Sequence, residues 1–186
     1  MPLNAYELSA GAFVRGLTNL QAQLRRAEAY AATSGSDEAA LLDARLTAAA
    51  HVHGAASTAP NDVHAYTLAA QVHWAAEGAR LAIAHVLGAP AVPAAHAATR
   101  FADLHEHLAA TITYLETIAP SDLEAGLDRE VVITHRRGST RASGRQFIIA
   151  FALPHFYYHV TTAYGILRNQ GVPLTMSDFL GNWGAA

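Results

Sequence analysis

Apolar residues recur at helical spacing along most of this chain. Tyr6, Ala10, Phe13, Leu17, Leu20 and Leu24 follow one another by three or four positions. That stripe predicts a helix from about Asn4, a good N-cap, to about Ala32. The stretch "TSGSDE" interrupts it, and Ser36 is expected to open a short helix through Leu41, Leu42 and Leu46. "HVHGAASTAPND" reads as a connecting loop. A second long stripe, Leu68, Val72, Ala76, Ala79, Ile83 and Val86, predicts a helix from about Asp62 to Leu87, stopped by "GAPAVP". A third, Phe101, Leu104, Leu108, Ile112, Leu115 and Ile118, starts near Thr99 and is expected to end at Pro120.

The pattern then changes. "REVVITHRRGSTRASGRQF" carries Val131, Val132 and Ile133 ahead of a glycine-centred turn, which suits a β-hairpin or an ordered loop. The last long helix is expected from near Gly144 to Asn169, with Gly171 and Pro173 as stops. "TMSDFLGNW" predicts one final turn packing Phe179, Leu180 and Trp183 on the body. Four long amphipathic helices make an all-α four-helix bundle the expected architecture, as a single domain over residues 1–186. A short extra helix and the hairpin complete it. The crossover through residues 33–61 is long, so simple up-down connections do not follow from the pattern alone.

Composition sharpens this picture in a few places. The 186 residues are 52% apolar, enough for a core, and much of that is alanine, the best helix former. There is no cysteine, which excludes disulfides and thiolate ligands and suits a cytoplasmic protein. All 12 basic residues are arginine, so lysine chemistry is excluded. A formal net charge of −3, without aromatics interleaved among the arginines, argues against nucleic-acid binding. No apolar run is long enough to span a membrane, and the N-terminal stretch lacks the pattern of a signal peptide.

Histidine is the unusual count, at 11. On the last helix Ile148, Ala152, His155, His159, Thr162 and Ile166 are separated by steps of 4, 3, 4, 3 and 4. His155 and His159 therefore share the core-facing stripe, where both imidazoles can reach one ion. The more common alternative is a pair of core side chains bonded to Tyr157, Tyr158 or Tyr164. Pro154 removes a backbone donor just before them and is expected to bend the helix. A third ligand must come from elsewhere, and His73 in "QVHWAAEGAR" is the candidate, with Glu77 four residues on as an acceptor to orient it. Otherwise His73 is a partly exposed helix residue paired with Glu77.

The remaining candidates are weaker. His51 and His53 fall in the expected loop. His105 and His107 point about 160° apart on their helix and cannot share an ion. His64, His85, His96 and His135 have no partner at a telling spacing. Arg136, Arg137, Arg141 and Arg145 suit either a solvated basic turn or a clamp for carboxylates or phosphates. No nucleophile elbow, phosphate loop or dinucleotide fingerprint is present, so no catalytic residue is assigned.

"ALPHFYYHVTTAYGILRNQGVPLTMSDFLG" resembles the C-terminal signature of a family of uncharacterised bacterial proteins related to the DinB/YfiT-like superfamily. The similarity extends through "YELSAGAFVRGLTNLQAQL" and "QVHWAAEGARLAIAHVLG". It implies a four-helix bundle, often dimeric. In metal-binding members of the superfamily, one histidine on the second bundle helix and an H-x-x-x-H pair on the last hold a divalent ion. Carried over, those ligands are His73, His155 and His159, with Gln71 or His64 as alternatives for the first. Three neutral imidazoles would suit zinc or nickel and leave coordination positions open. Characterised relatives include thiol-dependent transferases and isomerases, so the expected substrates are a small-molecule thiol or an anion. Hydrolysis is the further option, and in any of these reactions Tyr158 or Glu77 are candidates for proton transfer. The alternative is a non-catalytic dimeric bundle that binds a small ligand.

Overall fold

The computed structural model describes residues 4–46, 66–94, 98–135 and 138–182. His51, His53, Asp62, His64, His96, Arg136, Arg137 and Trp183 lie outside these residues, as does the His135 side chain.

Asn4 caps α1 (Ala5–Leu8) by accepting from Glu7 N, while the Glu7 side chain accepts from Asn4 N. The chain leaves helical geometry at Ser9, so the expected first helix is two, and α2 runs Ala10–Ser34. Its stripe is buried as the pattern requires, with Ala10, Phe13, Leu17, Leu20 and Leu24 at 0% exposure. The short helix α3 (Glu38–Asp43) is capped by Asp37 rather than Ser36. It buries Leu41 and Leu42 but leaves Leu46 outside.

The helix α4 (Leu68–Leu87) starts where the Thr67 hydroxyl accepts from Ala70 N, and it ends at Gly88 in the left-handed region (φ 70°). The next helix, α5 (Phe101–Glu116), buries Phe101, Leu104, Leu108 and Leu115. Pro120 does not stop it. Instead Pro120 is the first residue of α6 (Pro120–Gly126), where its missing N–H costs nothing and its fixed φ suits a helix start. The proline opens a helix here instead of closing one.

The hairpin is formed. β1 (Glu130–His135) and β2 (Gly138–Ser143) are antiparallel, pairing Glu130 with Ser143 and His135 with Gly138. Val131 turns onto the bundle at 2% exposure while Val132 faces out.

The last long helix follows as three consecutive pieces: α7 (Gly144–Phe147), a π-helical turn over Ile148–Ala152, and α8 (Leu153–Asn169). In the wide turn Leu153 N donates to Ile148 O, five residues back. Pro154 explains its position, because proline donates no hydrogen bond and its ring presses on the carbonyl four residues earlier. Widening the turn relieves that clash without breaking the helix. The expected bend is thus met by a π turn.

Four long helices, α2, α4, α5 and α8, make the bundle, with α4 packed on both α5 and α8. Alanines 75, 76, 79 and 82 on α4 are buried and allow close approach. Between α2 and α8, a Cβ at Gly16 would stand 2.5 Å from Phe156 Cε1, so only glycine admits that ring. Phe156 in turn meets Phe13 edge-on at 5.0 Å. The final helix α9 (Met176–Leu180) is tied to α2 by Asn19, which donates to Phe179 O and Leu180 O, and by the Arg26–Asp178 ion pair. Phe179 packs edge-on to Tyr164 at 5.4 Å.

Candidate functional site

The stripe that carries His155 and His159 faces α4. His159 is 1% exposed and His155 is half-buried. Their Nε2 atoms lie 3.3 Å apart, with ring centroids at 4.6 Å and planes at 75°. The Nδ1 of His159 lies at hydrogen-bond distance, 2.6 Å, from Gln71 Oε1 of α4, and Gln71 is itself fully buried. Phe151 of the π turn stacks on His155 at 5.4 Å. Tyr66 stacks on His159 at 6.4 Å and on Trp74 at the same distance. Gly78 sits opposite His155, where a Cβ would be 3.2 Å from Nδ1, so the glycine makes room for the ring.

Burial disfavours charge on both rings. It lowers the His155 pKa, and together with the neighbouring His155 it lowers that of His159 to about 3. Both imidazoles are therefore neutral around pH 7, the state in which a ring nitrogen can ligate a metal or accept a proton.

His73 is elsewhere. It lies two residues from Gln71, hence on nearly the opposite side of α4, and turns toward α5. Its ring stacks on His107 at 5.2 Å and 18°, with Trp74 edge-on at 5.2 Å. His73 is buried, at 3% exposure, rather than partly exposed. Glu77 is also buried, at 1%, and holds Arg80 through two contacts, Nε–Oε1 at 3.1 Å and Nη2–Oε2 at 2.8 Å. It accepts from Ala94 N as well, at 2.9 Å, while Arg80 donates to Val92 O. His107 Nε2 stands 4.0 Å from Glu77 Oε1. Burial raises the Glu77 pKa, but the bonds from Arg80 and Ala94 and the charges of Arg80 and His107 outweigh it, and the carboxyl ends below its ordinary value.

The structure therefore brings together His155 and His159 but not His73; Gln71 takes the position on α4 facing the pair. Among the described residues no group of three or more His, Asp or Glu converges to hold an ion. His105 lies against Glu28 at 3.5 Å, and His85 meets Phe147 edge-on. Of the arginine cluster, Arg141 pairs across the hairpin with Glu130 at 2.6 Å, and Arg145 lines a groove with Glu124 and Ile149. Gln71, an alternative to His73 in the resemblance, is the residue that faces the pair, while Arg80 and the stacking of His107 on His73 had no signal in the sequence. A Gln71–Ala75–Gly78–Ala82 face at steps of 4, 3 and 4 was the available signal for Gln71.

This fold and histidine pair define a DinB-like helical bundle with a polar site between its second and last long helices. The chain belongs to the family described as a domain of unknown function, DUF1993, which matches residues 5–180. Among solved structures it is similar to a crystal structure of a DinB family member protein from Shewanella denitrificans. The two are 30% identical over 97% of this chain and 94% of that one, with a TM-score of 0.79. No curated protein matches the chain. Among the described residues no helix is long and apolar enough to cross a membrane.

Proposed function

We propose that this protein is a cytoplasmic divalent-metal-dependent enzyme whose working site is the His155–His159 pair. The 3.3 Å separation of the two Nε2 atoms carries this reading. Two nitrogens each about 2.1 Å from one ion in tetrahedral geometry stand about 3.4 Å apart. The chain thus fits two of the three donors that the superfamily resemblance implies. His73 does not fit, since its ring is held against His107 on another face of α4. An ion there would supply Lewis acidity, lowering the pKa of a bound water or small-molecule thiol for a transferase, isomerase or hydrolase reaction. The protein's own contribution is a wall of neutral rings, with Gln71 bonded to the buried His159, Tyr66 stacked on it, and His155 half-buried beside it.

The test is zinc and nickel content and titration on protein prepared without an affinity tag. One ion per chain in the native protein and none in His159→Ala, with helicity retained, supports the proposal. Substoichiometric metal with no thermal shift on adding either ion sinks it.

A second reading is a non-catalytic dimeric bundle that holds a small ligand. It is favoured by the hydrogen-bonded series Gln71–His159–His155, which satisfies the pair without an ion. Ile149 and Phe151, 58% and 50% exposed, would serve as its self-association face. Light scattering of Phe151→Asp against the native chain tests that face; an unchanged mass rules it out as the dimer contact.

A further inference from the structure

We infer that Gln71 is a positioning residue: its amide oxygen holds the proton of His159 on Nδ1 and so keeps the Nε2 lone pair directed at the space shared with His155. This rests on the metal-site reading for its purpose, but not for its geometry. A neutral imidazole carries one proton, so one nitrogen donates and the other accepts. Gln71 Oε1, fully buried and 2.6 Å from Nδ1, can only accept, which places the proton on that side. The other nitrogen is then bare and faces His155 Nε2 at 3.3 Å. In the metal-free protein His155 donates across that gap. When a cation enters, the His159 lone pair is already in place, and only His155 must move its proton to Nδ1, the atom beside Gly78.

An amide serves here where a histidine would not. A second imidazole at position 71 would bring another titratable group against the pair, whereas the amide presents its oxygen to Nδ1 and does not titrate. Gln71 also adds no charge, so the pair stays neutral in its buried setting. Oriented acceptors on the far nitrogen are the common way proteins fix a ligating imidazole, and removing one costs about 10- to 100-fold in metal affinity.

The experiment reads tautomers directly, by long-range proton–nitrogen NMR of the imidazoles in the metal-free native chain, Gln71→Leu and Gln71→Glu. Zinc titration of the same three proteins follows. Expected are a protonated Nδ1 on His159 in the native chain and a switch to protonated Nε2 in Gln71→Leu. Zinc affinity should fall about 10- to 100-fold in that variant and recover to within a few-fold in Gln71→Glu, which keeps the acceptor. A native His159 protonated on Nε2 overturns the inference without recourse to any variant. So does a Gln71→Leu protein that folds, keeps the native tautomer and binds zinc as the native chain does. If the native chain binds no zinc while the tautomers behave as expected, the metal-site reading fails and the role of Gln71 stands.

Discussion

The two sides of α4 carry polar interiors of opposite kinds. Toward α8 lie Gln71, His159 and His155, all neutral, with no carboxylate among them. Toward α5 and the extended chain at 92–94 lie His73, His107, Glu77 and Arg80, built around the ion pair of a buried Glu77 with a partly exposed Arg80. Gln71 and His73 are only two positions apart, and that offset alone assigns them to different neighbours. The charged side is an anchor, since Glu77 and Arg80 fasten residues 92 and 94 to the helix. The neutral side commits its lone pairs weakly, at 3.3 Å, and is the one free to exchange a partner. Charge on the α5 side ties chain segments together, and the neutral nitrogens of the other side are the ones the proposed metal site would use.

The largest effect that separates the two sides is expected from Arg80→Ala. Glu77 would be left buried with one backbone donor, a loss of about 3 kcal/mol in urea unfolding. Zinc affinity of the folded fraction should be unchanged; a parallel loss would show that the clusters act as one. His159→Ala removes the hydrogen bond to Gln71 Oε1 and opens a gap, costing about 1–3 kcal/mol, and here zinc binding disappears as well.

Acid should distinguish the sides next. His159 has a folded pKa of about 3 against an ordinary 6.5, so between those values the unfolded chain binds the extra proton. Stability of the metal-free protein is therefore full above pH 6.5 and falls as pH drops toward 3, by up to about 1.4 kcal/mol per unit. His155, also lowered, adds to the same limb. Glu77, lowered from 4.5, loses its contribution only below that pH. His159→Gln should flatten the limb from pH 6.5 down toward 3, and Glu77→Gln only the part beneath 4.5. Equal flattening by both variants would erase the distinction.

The smallest effect is expected from Gly78→Ala. The added methyl meets His155 Nδ1 at 3.2 Å and must shift the ring by a few tenths of an ångström. Helix propensity offsets the crowding, so stability should stay within about 1 kcal/mol. Zinc affinity should still drop several-fold, a change confined to the side facing α8.

Much of the fold was legible in the chain because each long helix buries a stripe whose spacing the backbone dictates. The stripe from Leu68 to Val86 is buried at every position, and the hairpin was marked by Val131 and its glycine turn. Pro120 misled because a proline suits a helix start as well as an ending. The π turn at Ile148–Ala152 was not legible, since its wider turn answers a steric demand of Pro154 that leaves no periodic trace.

At the site, the four-residue spacing of His155 and His159 by itself determined that the rings would meet, because neighbours on one helix need no other element to bring them together. Which residue of α4 would face them was decided only by the tertiary structure. Gln71 and His73 both border the apolar stripe, and the rotation of α4 between α5 and α8 turned the amide to His159 and the imidazole to His107. That rotation is fixed by packing across the whole interface, where Ala75, Gly78 and Ala82 let α8 approach, and no local pattern encodes it.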